Sequence, residues 1–380
     1  MKLQEVCEVC SGYALKEFHD SDEGYPVIKI GNICLDGTLD LGKCQFTNDS
    51  VNEKYFSKKG DIYVALSGAT TGKIGIINVD DKYIINQRVG IVRKLDKEIP
   101  DQYIKYFLMN KTEKILEDAS GCAQPNISPK QIGQYEFPKL TYSEMEYVSG
   151  VLDRVCAVIT QRKQELQILD NFIKARFVEL FGDPINNPKG WEVVTIGDVV
   201  TDVRYGTSKP AVEGGRYPYL RMNNLTSEGH LNLNDLKYID IPDDEIEKCV
   251  VRKGDVLFNR TNSIELVGKT AVFDFPEDMV IAGYIIRVRL NERLLPEVLA
   301  QYMNLEVLKD ILRSMAKGAV NQANINAQEL QSIKVYIPEM ELQKQFVETK
   351  DQVDKSKVAV QKALDEAQLL FDSLMQKYFG

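Results

Sequence analysis

Short apolar runs separated by polar turns fill the first 140 or so residues of the chain. The runs at 25–30, 60–66, 73–79 and 89–95 are rich in Val, Ile and Tyr, and Gly, Asn and Asp lie between them. This pattern is typical of strands joined by tight turns. A helical stretch follows at 100–119. The region therefore predicts a compact α+β domain.

A regular apolar stripe replaces the turns after about position 143. Eight of ten positions from 148 to 180, in alternating steps of four and three, are apolar, and the same holds 198 residues further on, from 346 to 378. The alternative is two independent surface helices, but roughly 38 residues form a rod of about 57 Å, longer than a 140-residue domain about 30 Å across. We therefore expect two long antiparallel helices that pair in a coiled coil.

The chain also repeats itself along almost its whole length. Residues 24–41 align with 216–233, residues 58–65 align with 252–259, and "QPNIS" at 124–128 returns as "QANIN" at 322–326. The offset rises from 192 to 198 residues, as small loop insertions would cause. The sequence thus predicts a tandem duplication: one head at 1–142, a long helix at 143–182, a second head at 183–340 and a second long helix at 341–380, with approximate two-fold symmetry.

Composition and charge narrow the class of protein. The chain has 380 residues, 44% hydrophobic and 27% charged, with a net charge of −9, which is ordinary for a globular protein. No apolar run approaches the roughly 20 residues of a membrane span, and the N-terminus has no secretory signal pattern. These features predict a cytoplasmic protein with no membrane partner.

Patterns that suggest catalysis or metal binding fail on inspection. "SGATTGKIG" at 67–75 has the wrong glycine spacing for a phosphate-binding loop, and His19 and His230 do not accompany a nucleophile. Cys7 and Cys10 have zinc-like spacing, but Val200 and Val203 occupy their places in the second copy. Small buried apolar positions explain that exchange better. We predict no catalytic residue, cofactor or metal in this chain.

Several motifs in order carry a family resemblance. "RYGTSKP" (204–210), "YPYLRMNNL" (217–225), "KGDVLFNRTNS" (253–263) and the repeated pentapeptide before "FP" or "IP" occur in a head, helix, head, helix arrangement. Together they resemble the specificity subunit of type I restriction-modification systems, over almost all of the chain. The first head departs from the pattern, since "CSGYALK" stands in place of "RYGTS".

The resemblance implies two target-recognition domains that read the two halves of an interrupted double-stranded DNA sequence. It implies helices that dock methyltransferase subunits, two being expected, which carry S-adenosylmethionine. In a restriction complex it implies a translocase-endonuclease that uses ATP and magnesium. The subunit itself is not catalytic in that family. Two other hypotheses stay open: a scaffold or adaptor that does not bind DNA, and a stand-alone DNA-binding regulator.

The duplication separates two kinds of candidate DNA-binding position. Polar positions kept in both copies suit a phosphate contact or a fold-stabilising hydrogen bond, whereas polar positions that differ in equivalent turns suit base discrimination. The candidates are Lys29, Asn32, Ser67, Thr70, Thr71, Lys73, Gln87, Arg88, Arg204, Tyr205, Thr207, Lys209, Arg221, Asn223, Asn224, Asn259, Arg260, Thr261, Asn262, Ser263 and Tyr284. In the repeated pentapeptide, we expect the central Asn126 and Asn324 to cap the following turn, while Gln124 and Gln322 reach DNA or backbone amides.

Net charge makes a further prediction about affinity. Lys and Arg side chains that neutralise phosphates supply most non-specific DNA binding, and the chain is acidic. Basic residues do cluster near the turns of the second head, from Arg204 to Arg260. We expect the isolated chain to bind DNA weakly and partner subunits to add much of the contact with the DNA backbone.

Overall fold

The computed structural model describes residues 1–120, 125–319 and 322–380. The backbone divides into two compact units, one of Met1–Arg162 with Ala363–Gly380 and the other of Lys163–Lys362. Each unit therefore contains one head together with a segment of each long helix. Within the described ranges, no helix is both long enough and apolar enough to cross a membrane.

The first unit begins with a β-rich head that is followed by helices. Its strands are β1 Cys7–Ser11, β2 Tyr25–Ile28, β3 Gln45–Thr47, β4 Ile62–Ala65, β5 Ile74–Ile76, β6 Ile84–Ile85 and β7 Val89–Lys94. Its helices are α1 Asp101–Asn110, α2 Thr112–Ala119 and α3 Pro129–Gly133, and the long helix α4 runs over Tyr142–Phe181.

The second head follows a similar order, with additional short strands and a short helix between its strands. Its strands are β8 Glu192–Thr195, β9 Val200–Tyr205, β10 Tyr217–Leu220, β11 Lys237–Ile239, β12 Val250–Val251, β13 Val256–Asn259, β14 Thr261–Asn262, β15 Thr270–Val272, β16 Met279–Ile281, β17 Ile285–Leu290, β18 Lys317–Ala319, β19 Gln322–Asn324 and β20 Lys334–Ile337. Its helices are α5 Ile246–Cys249, α6 Pro296–Met303, α7 Glu306–Met315 and α8 Ala327–Gln331, and the long helix α9 runs over Met340–Phe379.

Equivalent sheets appear in both heads. One sheet has the order β1-β7-β4-β5 in the first head and β9-β17-β13-β15 in the second, and another has the order β3-β2-β6 and β11-β10-β16-β12. In both copies the second sheet contains one parallel pair, β2 with β6 and β10 with β16. The shared topology confirms the duplication that the sequence predicts.

A buried ion pair fastens the main sheet of each head. In the first head, Arg93 of β7 donates from Nε to Asp61 Oδ1 at 2.8 Å and from Nη2 to Oδ2 at 2.7 Å, and Asp61 is 1% exposed. In the second, Arg289 donates to Asp255 at 2.8 Å and 3.2 Å. Each aspartate also accepts the backbone N–H three residues earlier, at 2.8 Å and 2.9 Å. One carboxylate thus joins the turn before β4 or β13 to the strand beside it.

The apolar stripe of the long helices is buried within each unit. In the first unit, Val148 and Leu152 of α4 share a core with Phe371 and Met375 of α9. In the second unit, Ile173 and Phe177 of α4 share a core with Phe346 and Val353 of α9. Early residues of one helix thus meet late residues of the other, the order expected of antiparallel helices. Pairing in a coiled coil remains a prediction.

Cys7 and Cys10 belong to different faces of β1. Cys7 is 1% exposed in the main core of the first unit, where burial raises the pKa of its thiol to about 12. Cys10 packs against a separate apolar cluster. Residues three apart in a strand point to opposite faces, so these thiols do not converge. The interpretation as a buried apolar position is confirmed for Cys7, whereas Cys10 is half-buried.

The buried ion pair predicts unequal effects of two nearby substitutions. Asp61→Asn leaves the guanidinium of Arg93, whose side chain is 12% exposed, without a charged partner, so we expect a loss of about 3 kcal/mol in the free energy of unfolding. Lys59→Ala removes a surface pair with Asp80, in which the lysine is 59% exposed, and should cost less than about 1 kcal/mol. Urea unfolding followed by circular dichroism compares them. Equal losses would contradict the role assigned to Asp61.

Candidate nucleic-acid interface

The same backbone hydrogen bonds hold four loop segments together in each head. In the first head they are Tyr13 N–H to Ile85 O at 2.7 Å, Gln87 N–H to Tyr13 O at 2.9 Å, Leu66 N–H to Arg88 O at 2.9 Å and Ile127 N–H to Leu66 O at 2.9 Å. In the second they are Thr207 N–H to Ile281 O at 2.9 Å, Gly283 N–H to Thr207 O at 2.8 Å, Arg260 N–H to Tyr284 O at 3.0 Å and Ile325 N–H to Arg260 O at 2.9 Å. We call this arrangement the loop frame.

A glycine in each copy lets the loop frame close. A Cβ atom added to Gly12 would lie 2.2 Å from the carbonyl oxygen of Ile85, and one added to Gly206 would lie 2.1 Å from that of Ile281. Neither backbone oxygen can give way to a side chain at that distance. Although "CSGYALK" departs from "RYGTS", it keeps this glycine, and the first head retains the complete frame.

The loop frame displays different side chains at matched positions. Gln87 and Arg88 are exposed in the first head. Their counterparts by hydrogen bonding are Gly283 and Tyr284, and Tyr284 is 50% exposed. The predicted opposition of these residues is therefore confirmed. Two copies of one backbone arrangement offer an amide and a guanidinium in one case and a phenol in the other.

Arg260 belongs to a polar cluster in the second head. Its guanidinium carbon lies 4.9 Å from the ring centroid of Tyr205, and the Tyr205 hydroxyl accepts a hydrogen bond from Ala327 N–H at 2.8 Å. In the first head the frame position of Arg260 is taken by Leu66, which is 4% exposed. This part of the surface therefore differs between the copies in both charge and shape.

Three candidate residues at or after the ends of β4 and β13 turn inward. Asn259 is fully buried, donates to the carbonyl oxygens of Thr261 and Tyr284 at 3.2 Å each and accepts from Asn262 Nδ2 at 2.9 Å. The Thr261 hydroxyl donates to Asn324 Oδ1 at 3.2 Å. In the first head, the Thr71 hydroxyl donates to Gly68 O at 2.7 Å. These side chains make hydrogen bonds that stabilise the loops. We therefore do not propose Asn259, Thr261 and Thr71 as DNA contacts.

Asn32 and Asn224 stabilise matching short 3-10 turns. Each accepts the backbone N–H of the preceding basic residue, Lys29 at 2.9 Å or Arg221 at 2.8 Å. Each also donates to a carbonyl oxygen eight residues ahead, at 3.0 Å and 2.8 Å. They are 5% and 2% exposed. Of the two roles that the sequence left open, the geometry favours the fold-stabilising one.

Lys29 and Arg221 lie at the ends of β2 and β10, beside the loop frame. Asn86 N–H donates to Ile28 O at 3.0 Å, and the equivalent Ala282 N–H donates to Leu220 O at 2.9 Å. Because β2 is parallel to β6 and β10 to β16, the carboxyl ends of each pair share one edge. The basic residue and the turn at 87–88 or 283–284 therefore share that edge.

The remaining candidates vary in exposure. Asn223 is exposed, whereas Ser67, Thr70, Lys73, Thr207, Asn262 and Ser263 are partly exposed. Ser67 forms a backbone bridge with Asn126, the equivalent of the strand pairing between Thr261 and Asn324. The loop frame thus brings together most of the candidates that follow β4, β6, β13 and β16.

The repeated pentapeptide caps a helix, but not through its central asparagine. In the first head Ser128 Oγ accepts Gln131 N–H at 3.3 Å. In the second, Asn326 Oδ1 accepts Glu329 N–H at 2.9 Å. The prediction for Asn126 and Asn324 was wrong by two residues. The side chain that caps each helix belongs to the last residue before the helix, which is Ser128 or Asn326. Gln124 is outside the described residues.

Basic side chains of the second head pair with neighbouring carboxylates. The pairs are Arg204–Asp202 at 2.9 Å, Lys209–Glu245 at 2.7 Å, Arg216–Asp243 at 3.1 Å, Arg221–Asp235 at 2.8 Å, Arg252–Glu247 at 2.6 Å and Lys253–Asp274 at 2.8 Å. Phosphates of DNA would compete with these carboxylates for the same cations. The cluster therefore carries less free positive charge than its sequence indicates.

Arg287 orients part of this surface and was missed in the sequence. It is 1% exposed, and its Nη2 donates to Asp202, which also accepts from Arg204 Nε at 2.9 Å. Burial alone would raise the pKa of Asp202, but the hydrogen bonds from both arginines lower it overall. The sequence does carry a signal for this residue: Arg287 lies inside the apolar run "YIIRVRL", where the first copy has Ile91.

Comparison with known proteins identifies the family. A model of the type I restriction modification DNA specificity domain matches residues 1–174 and 188–367. The chain belongs to this family. Its members are specificity subunits that bind DNA and assemble with the other subunits of their systems, and they are not themselves catalytic. The predicted family and the absence of an enzymatic role are thus confirmed.

Individual relatives are distant in sequence. The specificity subunit of the type I restriction enzyme EcoKI from Escherichia coli is 23% identical over 94% of this chain and 82% of its own length. A specificity subunit assigned to MjaX of Methanocaldococcus jannaschii is 28% identical over 55% of this chain and 48% of its own length. A type I S subunit from M. genitalium matches the whole chain and 95% of its own, with a TM-score of 0.58 and 16% identity. That last likeness supports the fold.

The two neighbouring asparagines of the second head permit a matched test. Asn224→Ala removes two hydrogen bonds at a buried site and should lower the free energy of unfolding by about 1–3 kcal/mol. Asn223→Ala alters an exposed side chain and should change it by less than about 0.5 kcal/mol. Thermal unfolding of both variants measures the difference. Equal melting temperatures would mean that Asn224 is not a fold-stabilising residue.

Proposed function

We propose that the chain reads an interrupted DNA sequence, one half with each head. The observation that carries this proposal is the loop frame, whose backbone bonds repeat while its displayed side chains differ. Two readers of unlike half-sites need this combination, since base edges in the major groove are distinguished by side-chain donors and acceptors. The heads at 1–142 and 183–340 are the proposed target-recognition domains.

Base-reading residues are proposed among the side chains that the loop frame displays, all exposed except the half-buried Arg260. In the first head they are Gln87 and Arg88, and in the second they are Arg260, Tyr205 and Tyr284. An arginine can donate two hydrogen bonds to guanine, and a glutamine can pair with adenine, each contact discriminating by about 1–3 kcal/mol.

Other polar residues around the frame suit contacts to the DNA backbone, which position a protein without reading sequence. They are Lys29, Ser67, Thr70, Lys73, Arg204, Thr207, Lys209, Arg221, Asn223, Asn262 and Ser263. Several of these cations are paired with carboxylates in the free chain, so DNA contact requires exchange of partners.

The long helices are proposed to form an antiparallel coiled coil that sets the gap between two half-sites. Approximate two-fold symmetry of the heads would place the half-sites about one helical turn, or a multiple of it, apart. The helices would also dock methyltransferase subunits, two in number, and in a restriction complex a translocase-endonuclease. S-adenosylmethionine, ATP and magnesium would then act in those partners, within the cytoplasm.

Methylation in cells tests whether each head reads one half of the DNA site. Modified-base sequencing of host DNA, with the gene intact and disrupted, should show an interrupted adenine-methylated motif that disappears on disruption. Arg88→Ala should relax one half of the motif and Tyr284→Ala the other, each by about tenfold or more in site preference. Lys59→Ala, on a surface turn away from the loop frame, is the control.

Two outcomes of that experiment count against the proposal. If both variants alter the same half, the assignment of one head to each half fails. If no motif changes on disruption in a host that expresses the methyltransferase subunits, the chain acts as an adaptor instead, and its bound proteins become the next target.

The affinity of the isolated chain for DNA tests whether carboxylate partners of its Lys and Arg side chains weaken DNA binding. Fluorescence anisotropy with a duplex containing the motif should give a dissociation constant of about 1 µM or weaker at physiological salt, near the non-specific range. Glu245→Gln frees Lys209 from its partner at 2.7 Å and should tighten binding more than Asp244→Asn, which changes net charge equally. Nanomolar binding by the unaltered chain, or equal effects of the two variants, would overturn the explanation.

A further inference from the structure

A polar cavity of about 410 Å³ lies within the second unit, apart from the loop frame. Segments of α4 and α9, the α6–α7 pair and the loop at 265–269 supply its walls. Seven Lys and Arg side chains line it against five Asp and Glu, although the whole chain has a net charge of −9. The cavity is therefore a local excess of positive charge in an acidic protein.

Two buried lysines account for the unusual part of this charge. Lys309 donates to Gly268 O at 2.7 Å and to Asn304 Oδ1 at 2.8 Å. Lys269 donates to Leu225 O at 2.7 Å. Lys309 is 9% exposed and Lys269 is 8% exposed. These partners are neutral carbonyl groups, so they satisfy hydrogen bonds without balancing either positive charge.

Three other cations of the cavity are paired with carboxylates. Lys357 pairs with Asp170, and Lys350 pairs with Asp354 at 2.5 Å. Arg313 pairs with Glu306 at 2.8 Å. Among the residues that the structure describes, Lys309 and Lys269 form no ion pair, although Glu306 and Glu228 line the same cavity and act on them at longer range. The exposed Lys163 and Lys174 add to the positive charge of its lining.

The first head shows that the fold does not need a lysine at this place. Gly72 and Gly268 are equivalent, because each donates its N–H at 2.9 Å to the residue that ends the preceding strand, Ala65 or Asn259. In the first head, the carbonyl oxygen of Gly72 accepts from the Thr112 hydroxyl at 3.3 Å. A neutral donor is sufficient there. The second head has an ammonium instead, which is more costly to bury.

We propose that this cavity binds a small tetrahedral dianion of the phosphate or sulfate class, free or as the phosphate group of a small metabolite. Lys309 and Lys269 are its principal ligands and Lys174 its outer ligand. A cavity of this volume falls in the range of small-ligand sites, and lysine ammonium groups bind phosphates as point charges. The site is independent of the proposed reading of DNA.

Proton uptake should accompany anion binding. Burial lowers the pKa of Lys309 to about 7. The charged groups around it are Glu306, Arg313, Lys269 and Lys174. His230 lies across the cavity near Lys357, Asp354, Lys350 and Asp170, and burial lowers its pKa below its ordinary value. Between pH 6.5 and 8.5, Lys309 therefore changes from largely charged to largely neutral, whereas sulfate stays a dianion.

Equilibrium dialysis of the full chain against radiolabelled sulfate, at constant ionic strength, tests the proposal. We expect saturable binding of one sulfate per chain at pH 6.5 and at least tenfold weaker binding at pH 8.5. Lys309→Thr, which installs the residue type of the first head, should weaken binding at least tenfold and abolish its dependence on pH. Lys344→Thr, on an exposed position of α9, should leave binding unchanged.

A second variant guards against misfolding of the first. Lys174 is exposed, so Lys174→Thr should keep the native circular dichroism spectrum and melting temperature and still weaken sulfate binding several-fold. Absence of saturable binding, or affinities in both variants equal to that of the unaltered chain, would overturn the proposal. Stoichiometric displacement of sulfate by a short DNA duplex would also overturn it, by assigning these lysines to the DNA surface.

Discussion

The buried pair between an aspartate after a turn glycine and an arginine of the neighbouring strand is the interaction on which each head depends. Asp61 and Asp255 each bind a guanidinium and a backbone N–H of their own turn. A slip of one residue between these strands would turn every side chain to the opposite face, and would also separate the two charges. The pair therefore fixes the register of β7 on β4 and of β17 on β13.

Register at one end of a strand determines position at the other. β7 begins at Val89, directly after Gln87 and Arg88, and β17 begins at Ile285, directly after Tyr284. A strand fixed by its arginine places the preceding turn where it can donate to and accept from the adjoining loops. Charge pairing inside the sheet thus determines which residues the loop frame displays at its surface.

The sequence predicted the repeated architecture well because repetition and periodicity are local properties of the chain. The buried stripe of the long helices and the equivalence of 87–88 with 283–284 could both be read from spacing alone. Exposure was harder to predict, since Asn259 and Gln87 are both polar residues in turns. Only the three-dimensional arrangement shows that the Asn259 amide bonds inward to Thr261 and Tyr284. The helix caps could have been predicted from the sequence. Gln131 lies three residues after Ser128, and Glu329 lies three residues after Asn326, which is the spacing of a capping box.

Main-chain groups alone make the bonds of the loop frame, and this has an evolutionary consequence. A substitution at Arg88 or Tyr284 leaves the N–H and C=O groups of the frame in place, so selection on stability hardly opposes it. Residues such as Asn224 and Asp255 face the reverse situation, because their side chains are themselves the bonds. The two classes of position can therefore diverge at different speeds, and one head can acquire a new preference while its twin keeps the old one.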